Sequence, residues 1–236
     1  MGETAERVAD REGITREEMD RYALKSQNAA VEARDNGFFD REIIPIPLGD
    51  GRVFTKDDGP RPGTTMEKLA ALEPRFRPDG RVTAGNACPL NDGAAAVVIM
   101  SETKASELGV RPLAKVIATG VSSLEPEYMG LGPIDASKQA LRRAGMTIED
   151  MDVVELNEAF AAQVIPSARG LGIDPLSDRF NPHGGAIALG HPFGMTGARI
   201  LCTLLNDLDA LQGTYGLETM CVGGGQGMAM IVERLN

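Results

Sequence analysis

Apolar and polar positions follow different rhythms in the two halves of this chain. The first third reads as helix and then as irregular chain. Thr15-Arg16-Glu17-Glu18 is a capping box, in which the Thr15 side chain accepts the amide proton of Glu18. A helix is expected from there to about Asn36, stopped by Gly37. Residues 38–80 are rich in Pro, Gly and charge, and Asp57-Asp58-Gly59-Pro60-Arg61-Pro62-Gly63 excludes a regular element. The small residues from Gly93 to Ala96 lead into Val97-Val98-Ile99-Met100, an apolar run that predicts a buried strand, with a helix from Ser101 to Leu108 after it.

The second half alternates strand and helix. Pro112 to Val121 reads as strand, and Asp135 is placed to cap a helix through Ala144, closed by Gly145. Val153-Val154-Glu155-Leu156 predicts a short buried strand, with a helix from Glu158. From Thr196 to Leu211 the residues Ala198, Ile200, Leu201, Leu204, Leu205 and Leu208 cover much of a helix circumference, which predicts burial on more than one side. Tyr215–Cys221 and Met228–Val232 read as strands joined by Gly223-Gly224-Gly225-Gln226-Gly227, a hairpin in a mixed sheet. Small residues lead into a strand at both Gly93–Met100 and Gly227–Val232, a faint echo of a duplicated domain. The class is α/β.

Composition narrows the function. At 236 residues the chain can hold one large or two small domains with real cores. A formal net charge of −10 argues against binding nucleic acid through its phosphates, yet leaves room for a local basic pocket facing a phosphorylated small molecule. Aromatic residues are 4% with no Trp, too few for a base-stacking surface. No apolar run approaches the roughly 20 residues of a membrane span, and the polar, mixed-charge N-terminus does not read as a secretory signal. Cys88, Cys202 and Cys221 are odd in number and form no disulfide framework, so reduced thiols and a cytoplasmic location are expected.

The candidate chemistry clusters late. Both histidines, His183 and His191, lie in the glycine-rich stretch from Asn181 to Gly194. Pro192 biases His191 toward extended backbone, and the stretch opens the apolar helix at Thr196. His191 is thereby expected on a loop at a helix N-terminus, where the dipole favours neutral imidazole or nearby negative charge. On the residues alone, a surface histidine fits as well as a functional one. Cys221 ends a strand beside the glycine turn and reads either as a core cysteine or as a reactive thiol. Cys202, inside the apolar helix, reads as core filling, and Cys88, in a loop, fits either role. Asn157, between strand and helix, has the ordinary look of an N-cap.

Taken together these segments resemble the thiolase family along essentially the whole chain. The resemblance is carried by Met1-Gly2-Glu3-Thr4-Ala5-Glu6, by Val82-Thr83-Ala84-Gly85-Asn86-Ala87 with Asn91-Asp92-Gly93-Ala94-Ala95, and by three blocks in the family's order: Asn157-Glu158-Ala159-Phe160, Gly184 through Gly194, and Cys221-Val222-Gly223-Gly224-Gly225-Gln226-Gly227. It implies a thiolase fold, with a layered α-β-α C-terminal domain and mixed sheet over 111–236. Before it would come the last strand and helix of the N-terminal domain (89–110) and the remainder of the loop domain (1–88). It implies an acyl-CoA C-acetyltransferase with coenzyme A as substrate, no further cofactor and no metal. Acyl-CoA and coenzyme A are the implied partners, with neither nucleic acid nor membrane, and the full-length form is expected to be a homo-oligomer.

The resemblance gives His191 the role of activating a nucleophilic cysteine and stabilising the thioester oxyanion. Asn157 would fix a water in the same oxyanion hole. Cys221 would move a proton at the acyl α-carbon, and the Gly223 amide would donate in a second oxyanion hole. Coenzyme A contacts are implied for Met1, Arg61, Ala84, Cys88 and Phe160. Cys88 stands where many members have Ser, and His183 where many have Asn. The family's nucleophile lies in a Cys-x-Ser-Gly motif, absent here: Cys88 leads into Pro89-Leu90, Cys202 into Thr203-Leu204 and Cys221 into Val222-Gly223. Met1 falls on a methionine internal to the family, so most of a first α/β domain is expected to be missing. The alternatives are a non-catalytic acyl-CoA-binding or interaction remnant, or a missing half supplied by a separate polypeptide.

Overall fold

The computed structural model describes residues 1–235. Helices α1 (Gly2–Glu12) and α2 (Arg16–Asp35) open the chain. The capping box forms as expected: the Glu18 amide donates to the Thr15 hydroxyl at 3.2 Å, and the Glu18 carboxylate accepts the Thr15 amide at 2.8 Å. Such a cap stabilises a helix start by about 1 kcal/mol. α2 buries Met19, Tyr22, Ala23, Ser26 and Ala30 along one stripe at helical spacing. The stretch 38–80 is mostly irregular but holds two-residue strands β1 (Ile46–Pro47) and β2 (Val53–Phe54) and the short helix α3 (Met66–Ala70). Helix α4 (Glu102–Leu108) is capped by Ser101, whose side chain accepts from the Lys104 amide, and stops at Gly109.

The rest is one mixed sheet between helices. β3 (Ala114–Ser123), α5 (Gly132–Ala144), β4 (Val153–Leu156), α6 (Ala161–Gly170), α7 (Ala186–Leu189), α8 (Thr196–Ala210), β5 (Tyr215–Val222) and β6 (Gln226–Arg234) follow in order. The strands lie β3-β6-β5-β4, antiparallel except for the parallel pair β4–β5. The β5–β6 hairpin turns through Gly224 and Gly225 at φ 87° and 86°, values that disfavour any side chain. α5 packs so closely on β3 that a Cβ at Gly120 would overlap the Ala136 carbonyl. α8 covers the opposite face, with Leu204 seated over Gly216. These layers are the expected α/β fold with its mixed sheet.

Four sequence expectations are corrected. Val97–Met100 forms no strand, and Val98 and Ile99 are 84% and 71% exposed. An apolar run becomes a buried strand only beside a neighbour, and among the described residues no segment pairs with it. Asp135 is not a cap: a 3-10 turn from Pro126 to Leu131 runs straight into α5, leaving Asp135 in its first turn. The helix expected from Glu158 starts at Ala161, because the Asn157 amide donates to the Thr219 carbonyl at 3.0 Å and prolongs the sheet by one residue. α8 is buried over one broad face, with Cys202 only half-buried on its flank rather than filling the core.

Candidate active site

The end of β4 and the loop between α7 and α8 deliver the two polar side chains that meet. Asn157, one residue beyond β4, is 1% exposed, and its side chain is not spent on a helix cap. His191 follows α7 and Gly190. Gly190 has φ 97°, and a Cβ there would overlap the Asn91 amide. That close approach lets Asn91 Oδ1 accept the His191 backbone amide at 3.0 Å. Asn157 Nδ2 lies 3.3 Å from Nδ1 and 3.2 Å from Nε2 of His191. Near-equal distances place the amide over the ring rather than along one nitrogen's lone pair. Asn157 Oδ1 is buried with no hydrogen-bond partner among the described residues.

The tautomer of His191 follows from its other neighbour. Nδ1 lies 2.7 Å from the Thr196 hydroxyl, which donates its single proton to the Pro192 carbonyl at 3.0 Å. With the hydroxyl proton on that carbonyl, the hydroxyl oxygen accepts from Nδ1–H, and a lone pair is left on Nε2. Burial, aided by the positive charge of Arg199, lowers the imidazole to about 4. His191 is therefore a neutral ring at neutral pH.

Cys221 is 6% exposed and faces the large core on the α5 side of the sheet. Burial pushes its thiol up to about 12, with a smaller contribution from nearby Cys88. At neutral pH it is a proton donor, not a thiolate. Gly223 sits in the hairpin turn with open space on its Cα side. Asn157 and His191 are thus in direct contact. The backbone of Asn157 pairs with Thr219, two residues before Cys221. Of the four, only His191 borders either cavity beside the site; Asn157, Cys221 and Gly223 border neither.

Those two cavities adjoin. A cleft of about 370 Å³ is bordered by Leu90, Asn91, Asp92, His191, Pro192 and Phe193. A groove of about 810 Å³ shares Leu90, Asn91 and Asp92 and continues past Ala84, Arg61 and Lys68. Arg61 and Ala84 therefore line the groove, while Met1, Cys88 and Phe160 do not. Met1 is exposed, Cys88 is half-buried, its thiol pushed up to about 11 by burial, and Phe160 is buried edge-on to Phe76. His183 stands apart from His191, stacked on Phe38 at 3.6 Å with Nδ1 2.5 Å from Asp207. Thr196 and Asn91 are contacts of His191 to which sequence reasoning gave no role. A hydroxyl in the helical turn just after Gly-His-Pro was a usable signal for Thr196. Among the described residues no cluster of three or more His, Cys, Asp or Glu is placed to hold a metal, and no helix is long and apolar enough to cross a membrane.

Comparison with known proteins decides the lineage. The thiolase N-terminal domain matches residues 1–103 and the thiolase C-terminal domain residues 110–234. The chain belongs to the thiolase family. It is 50% identical over 238 residues to an acetyl-CoA acetyltransferase of Syntrophomonas wolfei, a match covering all of this chain and 60% of that protein. The crystal structure of the Bacillus anthracis acetyl-CoA acetyltransferase superposes with a TM-score of 0.96 at 45% identity, covering 100% of this chain and 60% of that one. Human mitochondrial 3-ketoacyl-CoA thiolase in complex with CoA gives 0.92 at 43% identity, covering 98% and 58%. The chain thus spans about 60% of the length of the relatives it matches.

Proposed function

We propose that this thiolase chain carries the oxyanion-binding and proton-transfer part of an acyl-CoA C-acetyltransferase site. The reaction is the reversible cleavage of a 3-ketoacyl-CoA by coenzyme A to acetyl-CoA and a shortened acyl-CoA, in fatty acid or related acyl-CoA metabolism. The observation that supports it best is the neutral His191 ring, its Nδ1 against the Thr196 hydroxyl and its face met by Asn157, in a cleft that adjoins a groove holding Arg61 and Lys68 among Asp57, Asp58 and Asp92.

In this reading Nε2 takes the proton of an attacking cysteine thiol and, once protonated, donates to the thioester oxygen. Asn157 Oδ1, an acceptor without a partner, suits a water in the same hole. When the bond between the acyl α- and β-carbons breaks, the Cys221 thiol protonates the carbanion, and the thiolate recovers a proton from coenzyme A. The Gly223 amide steadies the second oxyanion, and one fixed donor of this kind contributes on the order of 3 kcal/mol. Arg61 and Ala84 are proposed to hold coenzyme A along the groove, with Met1, Cys88 and Phe160 as the further contacts that the family resemblance implies. The proposed domains are 1–88, 89–110 and 111–236, as the family resemblance implies. Unpaired cysteines suit a cytoplasmic enzyme, and further copies of the full-length form are its proposed macromolecular partners.

None of the three cysteines lies in a Cys-x-Ser-Gly motif. Cys221 cannot take both parts, because acylation would consume the group that moves the proton. Turnover by this chain alone is therefore expected to lie several orders of magnitude below that of a version extended upstream to include such a motif. The groove favours a second reading, a non-catalytic acyl-CoA-binding module. Acetoacetyl-CoA cleavage with free coenzyme A, measured for both versions, separates the readings. Equal turnover refutes the division of labour. An extended version that binds coenzyme A but never turns over supports the binding module.

A further inference from the structure

Glu158 follows Asn157 in the chain and is completely buried. Its carboxylate lies between α2 and the segment that leads to His191. Oε1 accepts from the Tyr22 hydroxyl at 2.7 Å and from Asn181 Nδ2 at 2.9 Å. Oε2 accepts from the Ser26 hydroxyl at 2.6 Å and from the backbone amide of Ile187 at 3.1 Å. Ser26 in turn accepts the Gly185 amide at 3.2 Å, and a side chain on Gly185 would overlap the Glu158 carboxylate. Asn181, with φ 44°, closes the arrangement: its amide group also donates to the Leu156 carbonyl at 2.9 Å and accepts the Leu156 amide at 2.8 Å. Three separate pieces of chain meet on one carboxylate: helix α2, the strand end bearing Asn157, and the stretch 181–187.

We infer that Glu158 is a positioning residue that sets Asn157 and His191 against each other, by pinning the strand end that carries one and the α7 segment that carries the other onto α2. The inference rests on the reading of Asn157 and His191 as the oxyanion-contacting pair. The geometry gives it reach. Asn157 is the adjacent residue, and Ile187 lies within α7, which ends one residue short of Gly190 and His191. Packing alone would be served by an apolar side chain of similar volume. Four convergent donors instead fix the direction of the carboxylate and, through it, the spacing of the two loops. A buried polar network that is fully satisfied specifies one arrangement, and losing its shared acceptor leaves four donors to find others.

The test uses the only two histidines of the chain. Long-range proton–nitrogen spectra at neutral pH report the tautomer of each imidazole, with H183N and H191N assigning the signals. In the parent chain His191 shows the wide separation of ring-nitrogen shifts that marks a single Nδ1–H tautomer. In Glu158→Gln and in Glu158→Asp, which keeps the charge but shortens the reach, that separation is expected to collapse toward an average. His183, held by Phe38 and Asp207, should keep its signals. Folded variants with unchanged His191 signals overturn the inference. If both variants fail to fold, Tyr22→Phe and Ser26→Ala decide: each removes one donor and leaves the carboxylate in place. Movement of the His191 signals supports positioning, and unchanged signals refute it. None of these readouts requires turnover. The proposed reaction can therefore fail, through an active His191→Ala form of the extended enzyme, while the positioning role stands.

Discussion

On the side covered by α5 and α6 the sheet is mostly apolar and carries no buried charge, with Leu217, Ala229 and Ile231 continuous with the cores of α1, α2 and α6. On the side covered by α8 the buried apolar group shrinks to Val153, Leu201, Leu204, Leu208 and Val232. The same layer holds Glu155 and Glu218, side by side on neighbouring strands, with Asp207, Arg199 and Glu42. Several of their atoms, including both terminal nitrogens of Arg199, have no hydrogen-bond partner among the described residues. Buried charge without full pairing costs stability. One side of the sheet is thus built for cohesion, and the other carries a strained load. His191 sits at the entry to the helix on that second side.

The largest test of this contrast is mutational. Leu217→Ala opens a cavity in the continuous core and is expected to cost about 3–4 kcal/mol. Leu204→Ala, equally buried but under α8, should cost about 2 kcal/mol, because that layer has fewer apolar neighbours to lose and more room to relax. Urea unfolding of the two variants measures both. Equal losses, or the reverse order, would show that the two sides cohere alike.

Much of the cohesive side was legible in the sequence. The apolar residues Val154, Leu156 and Leu217 and the glycine turn joining β5 to β6 lie in strands that find paired neighbours. The α8 side was less so. Val97–Met100 looked like a strand because a run of apolar residues carries no record of its partner. Asn157 looked like a helix cap because the competing acceptor, the Thr219 carbonyl, is 62 positions away. The candidate site divides the same way. His191, Asn157 and Cys221 were reached through family motifs, but their supports were not. Asn91 lies 100 positions from the amide it accepts. The Glu158 network joins residues 132 and 136 positions apart. Such contacts exist only after folding. One sign was visible: an acidic residue, Glu155, in the middle of a strand read as buried. It marked the face on which charge would be stored.

A smaller effect follows from that stored charge. Burial raises Glu218 to about 8 and Glu42 to about 7, each opposed by Arg199. An acid whose folded value exceeds its unfolded value holds its proton in the folded state after the unfolded chain has released it. The folded chain then binds more protons, and stability falls as pH rises from the ordinary carboxylate range toward about 8. Glu218→Gln removes one such acid. It is expected to melt above the parent at pH 8, by on the order of 1–2 kcal/mol, with the gap closing near pH 5. A gap that widens on acidification would mean that Glu218 is held ionised by Arg199 and that the α8 side is better paired than it looks.

The smallest expected change in folding stability is also the sharpest probe of what the thin side lacks. Val98 and Ile99 are exposed and lie next to Val97, which packs against the apolar group under α8. Met100, next in the chain, is exposed as well. Exposed apolar runs of this kind associate in water, so the purified chain is expected to scatter as oligomers whose size grows with concentration. Replacing Val98 with Thr and Ile99 with Lys removes apolar surface where no packing is lost. Stability should therefore stay within about 0.5 kcal/mol of the parent, while the concentration dependence of scattering falls. The two readouts separate the explanations. If stability drops with association, the run is packed in solution and the irregular path from 85 to 100 is wrong. If neither changes, association is absent or driven elsewhere, with Ile44, Ile46 and Phe54 around the β1–β2 hairpin as the next exposed apolar group to replace. If association alone falls, the thin side of the sheet is the sticky one, and the cohesion missing from α8 is what this edge supplies between molecules.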